Sequence, residues 1–209
     1  VNEAEWLSCA DPAPMLEHLR GKATNRKLRL FAVACFCRNW HLLPADEIRH
    51  AVEVSERYAD GQATTEELVA AASDTLKVEH AACWAEGYAT ITHVSAIMLH
   101  CADVPWTGRE TLGQWLYARA EDRAARSRTL RDIFGNPFRP VALDASCLTP
   151  TVTALASAIY DDRAFERLPI LADALEEAGC DHAEVLNHCR REGIHARGCW
   201  VVDLLLGKC

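Results

Sequence analysis

No stretch of this chain alternates apolar and polar residues over a convincing strand length, so the sequence offers little from which to build a β-sheet. It also lacks an apolar run near the roughly 20 residues that cross a bilayer. The longest, Leu28 to Phe36 and Trp200 to Leu206, fall far short, which excludes a membrane partner of the spanning kind. G-x-x-x-x-G-K-[ST], G-x-G-x-x-G and H-E-x-x-H are all missing, so the common phosphate cradles and the commonest metalloprotease layout are not expected. The serines (Ser8, Ser55, Ser73, Ser95, Ser127, Ser146 and Ser157) have no G-x-S-x-G context, which argues against a serine hydrolase. Positive charge is in short supply. With 22 Lys and Arg against 30 Asp and Glu the net charge is −8, and the pI is near 5.6. This balance disfavours a surface that binds nucleic acid mainly through phosphate neutralisation, and favours protein or small-molecule partners. The first residues, Val1 to Trp6, show neither the basic start nor the apolar run of a secretory signal, and the expectation is a cytoplasmic protein. In that compartment ten cysteines with no C-x-x-C read as thiols, buried or metal-bound, rather than as disulfides.

What the sequence has in quantity is helix punctuation. Asn2 with Glu5 makes a capping box, and Asp11-Pro12 supplies an N-cap and a proline at the first helical position, with Gly21 closing that helix. Thr24 caps a longer helix with Leu28, Phe31, Cys35 and Leu42 at helical spacing, stopped by Pro44. A helix from Asp46 closes on Gly61, and the Thr64 to Glu67 box starts a third long helix running to about Cys101. A helix from about Arg109 to Ile133 meets Phe134-Gly135-Asn136-Pro137-Phe138-Arg139-Pro140, which cannot remain helical. Beyond it, Thr149-Pro150, Leu168-Pro169, Asp181 and Cys199 each open a shorter helix, the last ending at Gly207. The fold class predicted is all-α: a bundle of long helices over residues 1–133, and a C-terminal unit of short helices over 134–209 packed on it.

That C-terminal unit holds an unusual cluster. Between Gly179 and Trp200 lie Cys180, His182, His188, Cys189, His195 and Cys199. A closed structural zinc site needs four thiolate or imidazole ligands drawn from loops and helix ends that can converge. Cys180 before a helix, His188 in its last turns, His195 in the following turn and Cys199 at the next helix start satisfy this, with His182 and Cys189 as substitutes. The spacing C-x7-H-x6-H-x3-C matches no standard finger. The bland alternative is a pair of small buried thiols and two histidines favourable to a helix C-terminus. Asp203, four residues after Cys199, is placed to accept the outer N–H of a ligating histidine.

The segments Ala4 to Leu7, Asp11-Pro12 with Met15-Leu16, Arg26 to Cys35, Phe134 to Pro140, Leu171 to Cys180 and Arg197 to Lys208 together resemble an uncharacterised family of planctomycete-type bacterial proteins. The resemblance spans both ends of the chain and implies a shared fold; it implies no activity. The family's Gly-Pro-Gly-Pro-His turn stands here as Arg191-Glu192-Gly193-Ile194-His195, with the histidine kept and the prolines replaced.

Elsewhere, Glu79, Glu86, His93 and His100 recur every seven residues along the long middle helix, but no Glu-x-x-His accompanies them, and a solvated stripe is the simpler reading. Cys35 and Cys37 cannot both face one ion from a helix and are expected in the core. Arginines cluster at Arg119, Arg123, Arg126, Arg128 and Arg131, and Arg20 to Arg38 contains no acid, a pattern that suits either a solvated face or an acidic partner. Three functions remain open: an intracellular metal-binding helical protein, with zinc folding the C-terminal unit; a metal-dependent hydrolase acting on an ester or phosphoester, with Asp203, Asp173 or Glu184 as base; and a metal-free helical adaptor for another protein.

Overall fold

The computed structural model describes residues 1–38, 46–82, 120–193 and 195–208. All regular structure among them is helical, as the punctuation predicts. Numbered in chain order, the helices are α1 (Glu3–Ser8), α2 (Pro12–Leu19), α3 (Asn25–Cys37), α4 (Asp46–Ala59), α5 (Thr65–Ala82), α6 (Ala120–Phe134), α7 (Pro150–Asp162), α8 (Leu168–Glu177), α9 (Ala183–Arg190) and α10 (Trp200–Leu206). Short 3-10 turns at Ala145–Cys147 and Phe165–Arg167 precede α7 and α8.

The caps explain where these helices start. Asn2 and Glu5 exchange side-chain and backbone hydrogen bonds, each 2.9 Å, satisfying two of the donors that a helix N-terminus leaves open. Thr64 and Glu67 do the same at 3.2 and 2.7 Å. Asp11, Thr24 and Thr149 accept from Ala13, Lys27 and Val152, and a proline opens α2 and α7. One start differs: α9 begins at Ala183 behind His182, whose side chain caps nothing, so Asp181 is not the cap expected of it.

The chain divides into two compact units, residues 9–127 and residues 1–8 with 128–209. In the first, α4 packs against both α3 and α5, burying Ile48, Ala51, Val52 and Val54 from its own apolar stripe with Leu30, Phe31 and Leu68 from its neighbours. Its arginines are largely spoken for. Arg26 pairs with the buried Asp60 at 3.1 Å, and Arg29 is itself buried, bonded to Ser55 and stacked over Tyr58. Cys35 lies in the core as expected, whereas Cys37, two residues on and therefore on another side of α3, is exposed. The seven-residue stripe lies outside the described residues except for Glu79, which falls within α5.

The second unit is discontinuous. The sequence break at Gly135 to Pro140 suggested a division after residue 133, but contacts divide the chain at 127, and α1 joins the C-terminal helices. Trp6 explains the recruitment of α1: its ring is fully buried, its indole N–H donates to the Gly135 carbonyl at 2.9 Å, and its own carbonyl accepts from Arg131. Around α7 to α10 a core of Val152, Ile159, Leu168, Leu171, Leu175, Val185, Val201 and Val202 is closed to water. Truncating one of its leucines to alanine costs about 2–5 kcal/mol, as in other cores.

Candidate metal centre

Four side chains from four places in this unit meet in its interior. Asp132 comes from the last turn of α6, His188 from the last turn of α9, His195 from the connection after it, and Cys199 from the residue before α10. One ligand atom from each lies within 4.8 Å of all the others. His188 Nε2 is 3.1 Å from Cys199 Sγ and 3.3 Å from Asp132 Oδ1, and His195 Nδ1 is 2.5 Å from that same oxygen. Water is nearly excluded: Cys199 is 0 % exposed, Asp132 1 %, and the histidine side chains 5 and 6 %.

Local structure fixes each donor. Asp132 turns its other oxygen, Oδ2, to the Ala196 N–H at 3.0 Å, which leaves Oδ1 facing the histidines. His195 Nε2 faces the Arg191 carbonyl at 3.4 Å, so its Nδ1 is the inward nitrogen. His188 is oriented by Trp200, whose indole N–H donates to Nδ1 at 2.9 Å while the two rings meet edge to face. Held this way, Nε2 points at Asp132 and Cys199.

The electrostatics are those of a polar group in a dry place. Burial alone would raise the Asp132 pKa, but hydrogen bonds from His188 and His195 and their charge together hold it below the ordinary carboxylate value. Burial lowers the His188 pKa, with Asp132 opposing, and burial followed by the Asp132 charge pushes the Cys199 thiol well above its usual value. Without an ion the group is thus a hydrogen-bonded Asp–His–His network with a neutral thiol beside it. A cation at its centre would reverse the cost of ionising Cys199.

The donor set fits such an ion. Oxygen, two imidazole nitrogens and a thiolate are all ligands that zinc takes, at bonds of about 2.0–2.3 Å, and a tetrahedron with those bonds separates its ligands by about 3.4 Å. The 3.1 and 3.3 Å separations are close to that edge, whereas the 2.5 Å between His195 Nδ1 and Asp132 Oδ1 is a hydrogen bond that a bound ion would have to open. Two outer contacts also match a ligand's needs, the Ala196 N–H on Asp132 and the Arg191 carbonyl at His195. The third does not. A neutral histidine bound through Nε2 carries its proton on Nδ1, where the Trp200 N–H now points, so loading an ion requires Trp200 to give up that bond.

Of the expected ligands, His188, His195 and Cys199 come together and Cys180 does not. Residues 175–180 form a helix-ending motif in which the Cys180 N–H bonds to the Leu175 carbonyl and the Gly179 N–H to that of Glu176, both at 2.9 Å, with Gly179 at φ +85°. That motif places the residue after the glycine against the helix it closes. Cys180 is accordingly in the apolar core, its thiol sharing a hydrogen bond with Cys147. The substitutes are not used either: Cys189 is buried beside the group with its pKa pushed up to about 12 by burial, and His182 stands at the start of α9 with Nδ1 unpartnered. Asp203 is buried at 1 %, but the outer histidine nitrogens face Trp200 and Arg191, not this carboxylate. Asp173 is held at the surface by Arg190 at 2.8 Å, and Glu184 is exposed on α9. The fourth member, Asp132, was missed because it lies far upstream on a helix rich in charged residues. The signal that was available is position: it precedes by three residues the Gly135 break that must turn the chain inward.

No helix among the described residues is long and apolar enough to cross a membrane. Compared with protein-family models, with curated proteins and with solved structures, the chain finds no significant match in any of the three.

Proposed function

We propose that this is a zinc-binding helical protein in which one ion, held by Asp132, His188, His195 and Cys199, fastens the end of α6 to α9 and α10. The observation that carries the reading is the convergence of four ligand atoms within 4.8 Å at a buried point, from side chains whose partners already aim them inward. The mixed oxygen, nitrogen and sulfur set favours zinc over magnesium or calcium, which take oxygen. The role is structural. A catalytic zinc keeps three protein ligands and an open position for water, whereas here four donors are present and nearly sealed. Of the three candidate bases of the hydrolase reading, Asp173 is tied to Arg190 at the surface.

Metal analysis of the full chain, purified without chelator from zinc-supplemented medium, tests this directly. About one equivalent of zinc is expected, and Asp132→Ala should reduce it sharply while Cys180→Ser should not. A content far below one equivalent, or loss of zinc on changing Cys180 but not Asp132, would overturn the assignment.

A further inference from the structure

Beside the proposed centre, within the same unit, α1 and α9 form the two walls of a groove with a volume of about 530 Å³. That is inside the range of roughly 300–1,000 Å³ typical of small-molecule sites. Leu7, 55 % exposed, supplies apolar surface on the α1 wall, and the half-buried indole of Trp200 lines the groove beside Gly135. The fit of that ring depends on the glycine twice over. Gly135 has φ +62°, and a Cβ there would meet Trp200 Cγ at 3.0 Å. The groove thus keeps an aromatic surface available by removing a side chain.

The polar groups are on the α9 wall. Glu184, Asn187 and His188 follow at spacings of three and four residues and so share one face of α9, and Arg191 follows directly after the helix. Asn187 and Arg191 are exposed, and neither side chain has a hydrogen-bond partner among the described residues. Arg131 and Arg139 add positive charge at the rim, Glu3 neutralising the second at 2.6 Å. Glu184 is the acid left over, at the other end of α9 from Arg191. The lining therefore carries three arginines against Glu3 and Glu184, with the exposed donors of Asn187 and Arg191 on the α9 side and the Trp200 ring among the other lining residues.

We propose that this groove binds a small organic anion with a flat apolar body, the ring lying against Trp200 and Leu7 and the carboxylate or phosphate oxygens taking hydrogen bonds from Arg191 and Asn187. A guanidinium gives an anionic oxygen charge-assisted bonds stronger than those of neutral donors, and a ring against an indole gains more than its area alone. The groove needs no ion, but it shares His188 and Trp200 with the zinc reading, and loading an ion would release the Trp200 bond to His188, so binding is measured in both forms.

The test is an NMR titration of the full chain with 3-phenylpropionate, following indole N–H resonances, in zinc-loaded and in chelator-dialysed protein. The alcohol 3-phenylpropanol and the amine phenethylamine serve as neutral and cationic controls. Saturable shifts in at least one of the two forms are expected, with a Kd of about 1 mM or tighter for a ligand of this size. Arg191→Gln and Asn187→Ala are surface changes that leave the core alone, and each should weaken binding at least about fivefold, as should either control ligand. No saturation by about 10 mM in either form, an unaffected Arg191→Gln variant, or an alcohol that binds as tightly as the acid would each overturn the proposal. Metal content, measured on the same samples, decides the zinc reading independently.

Discussion

The group around Asp132 and the thiol pair Cys147 and Cys180 are comparably buried and belong to the same unit, yet they are furnished differently. Around Asp132 each polar atom has an outward partner: a backbone N–H for the carboxylate, a backbone carbonyl for His195 and an indole for His188. Cys147 and Cys180 belong to the apolar core cluster and share a hydrogen bond, and burial raises the Cys147 pKa, with Ser146 and Asp144 nearby. A thiol with a raised pKa in apolar surroundings behaves as a small hydrophobe, not as a nucleophile or ligand. Soft atoms close together are thus not enough to favour a metal site; the Asp132 group differs in having outer contacts on the carboxylate and on His195 of the kind a ligand needs, while the indole on His188 would have to leave.

The largest expected effect comes from Cys199→Ser. If the ion is present at a free concentration a thousandfold above its Kd, losing it removes about 4 kcal/mol of stability, read as a fall in Tm together with loss of zinc. Trp200 next to it should then fluoresce further to the red. Asp132→Asn is the next step down. It keeps the shape and removes the charge, so affinity for zinc should fall at least about tenfold; in chelator the two histidine contacts lose their anionic acceptor, costing about 2 kcal/mol by denaturant titration. Cys180→Ser sharpens the contrast from the other side: a hydroxyl in apolar core should cost about 1–3 kcal/mol while zinc stays at one equivalent.

The pH dependence of the metal-free protein is the subtlest readout. The His188 pKa lies below its unfolded value of 6.5, so the unfolded chain binds the proton first and stability falls as pH drops below about 6.5 until the lowered value is passed. The Asp132 pKa also lies below its unfolded value, 3.8, and its contribution is lost as pH falls from there through the folded value. Both losses lie on the acid side. Urea midpoints that rise on acidification from pH 7 to 5 would contradict the network drawn here.

Much of the helical architecture could be read from short-range chemistry. Asn2 with Glu5, Asp11-Pro12, Thr24, Thr64 with Glu67 and Thr149-Pro150 all act within four residues, so their caps follow from sequence alone. The site was legible only where it is local. His188, His195 and Cys199 crowd into one short stretch, and that density is visible. Asp132 is distant, and its one local signal is the Gly135 break three residues on. Cys180 misled for the opposite reason: it is close in sequence, but the glycine before it reverses the chain and delivers it to Leu175 instead. A helix-ending glycine followed by an apolar residue should have been read as a packing signal. The α1 pairing was equally hidden, because Trp6 finds its partner beyond residue 127.

Because α1 is joined to the C-terminal helices through Trp6, residues 9–127 are, from the standpoint of that unit, a single very long insertion. The entropy lost in closing a loop grows only with the logarithm of its length, about 0.6 kcal/mol for each doubling. Evolution can therefore lengthen, shorten or exchange the inserted stretch at small thermodynamic expense, provided residues 1–8 still reach Gly135.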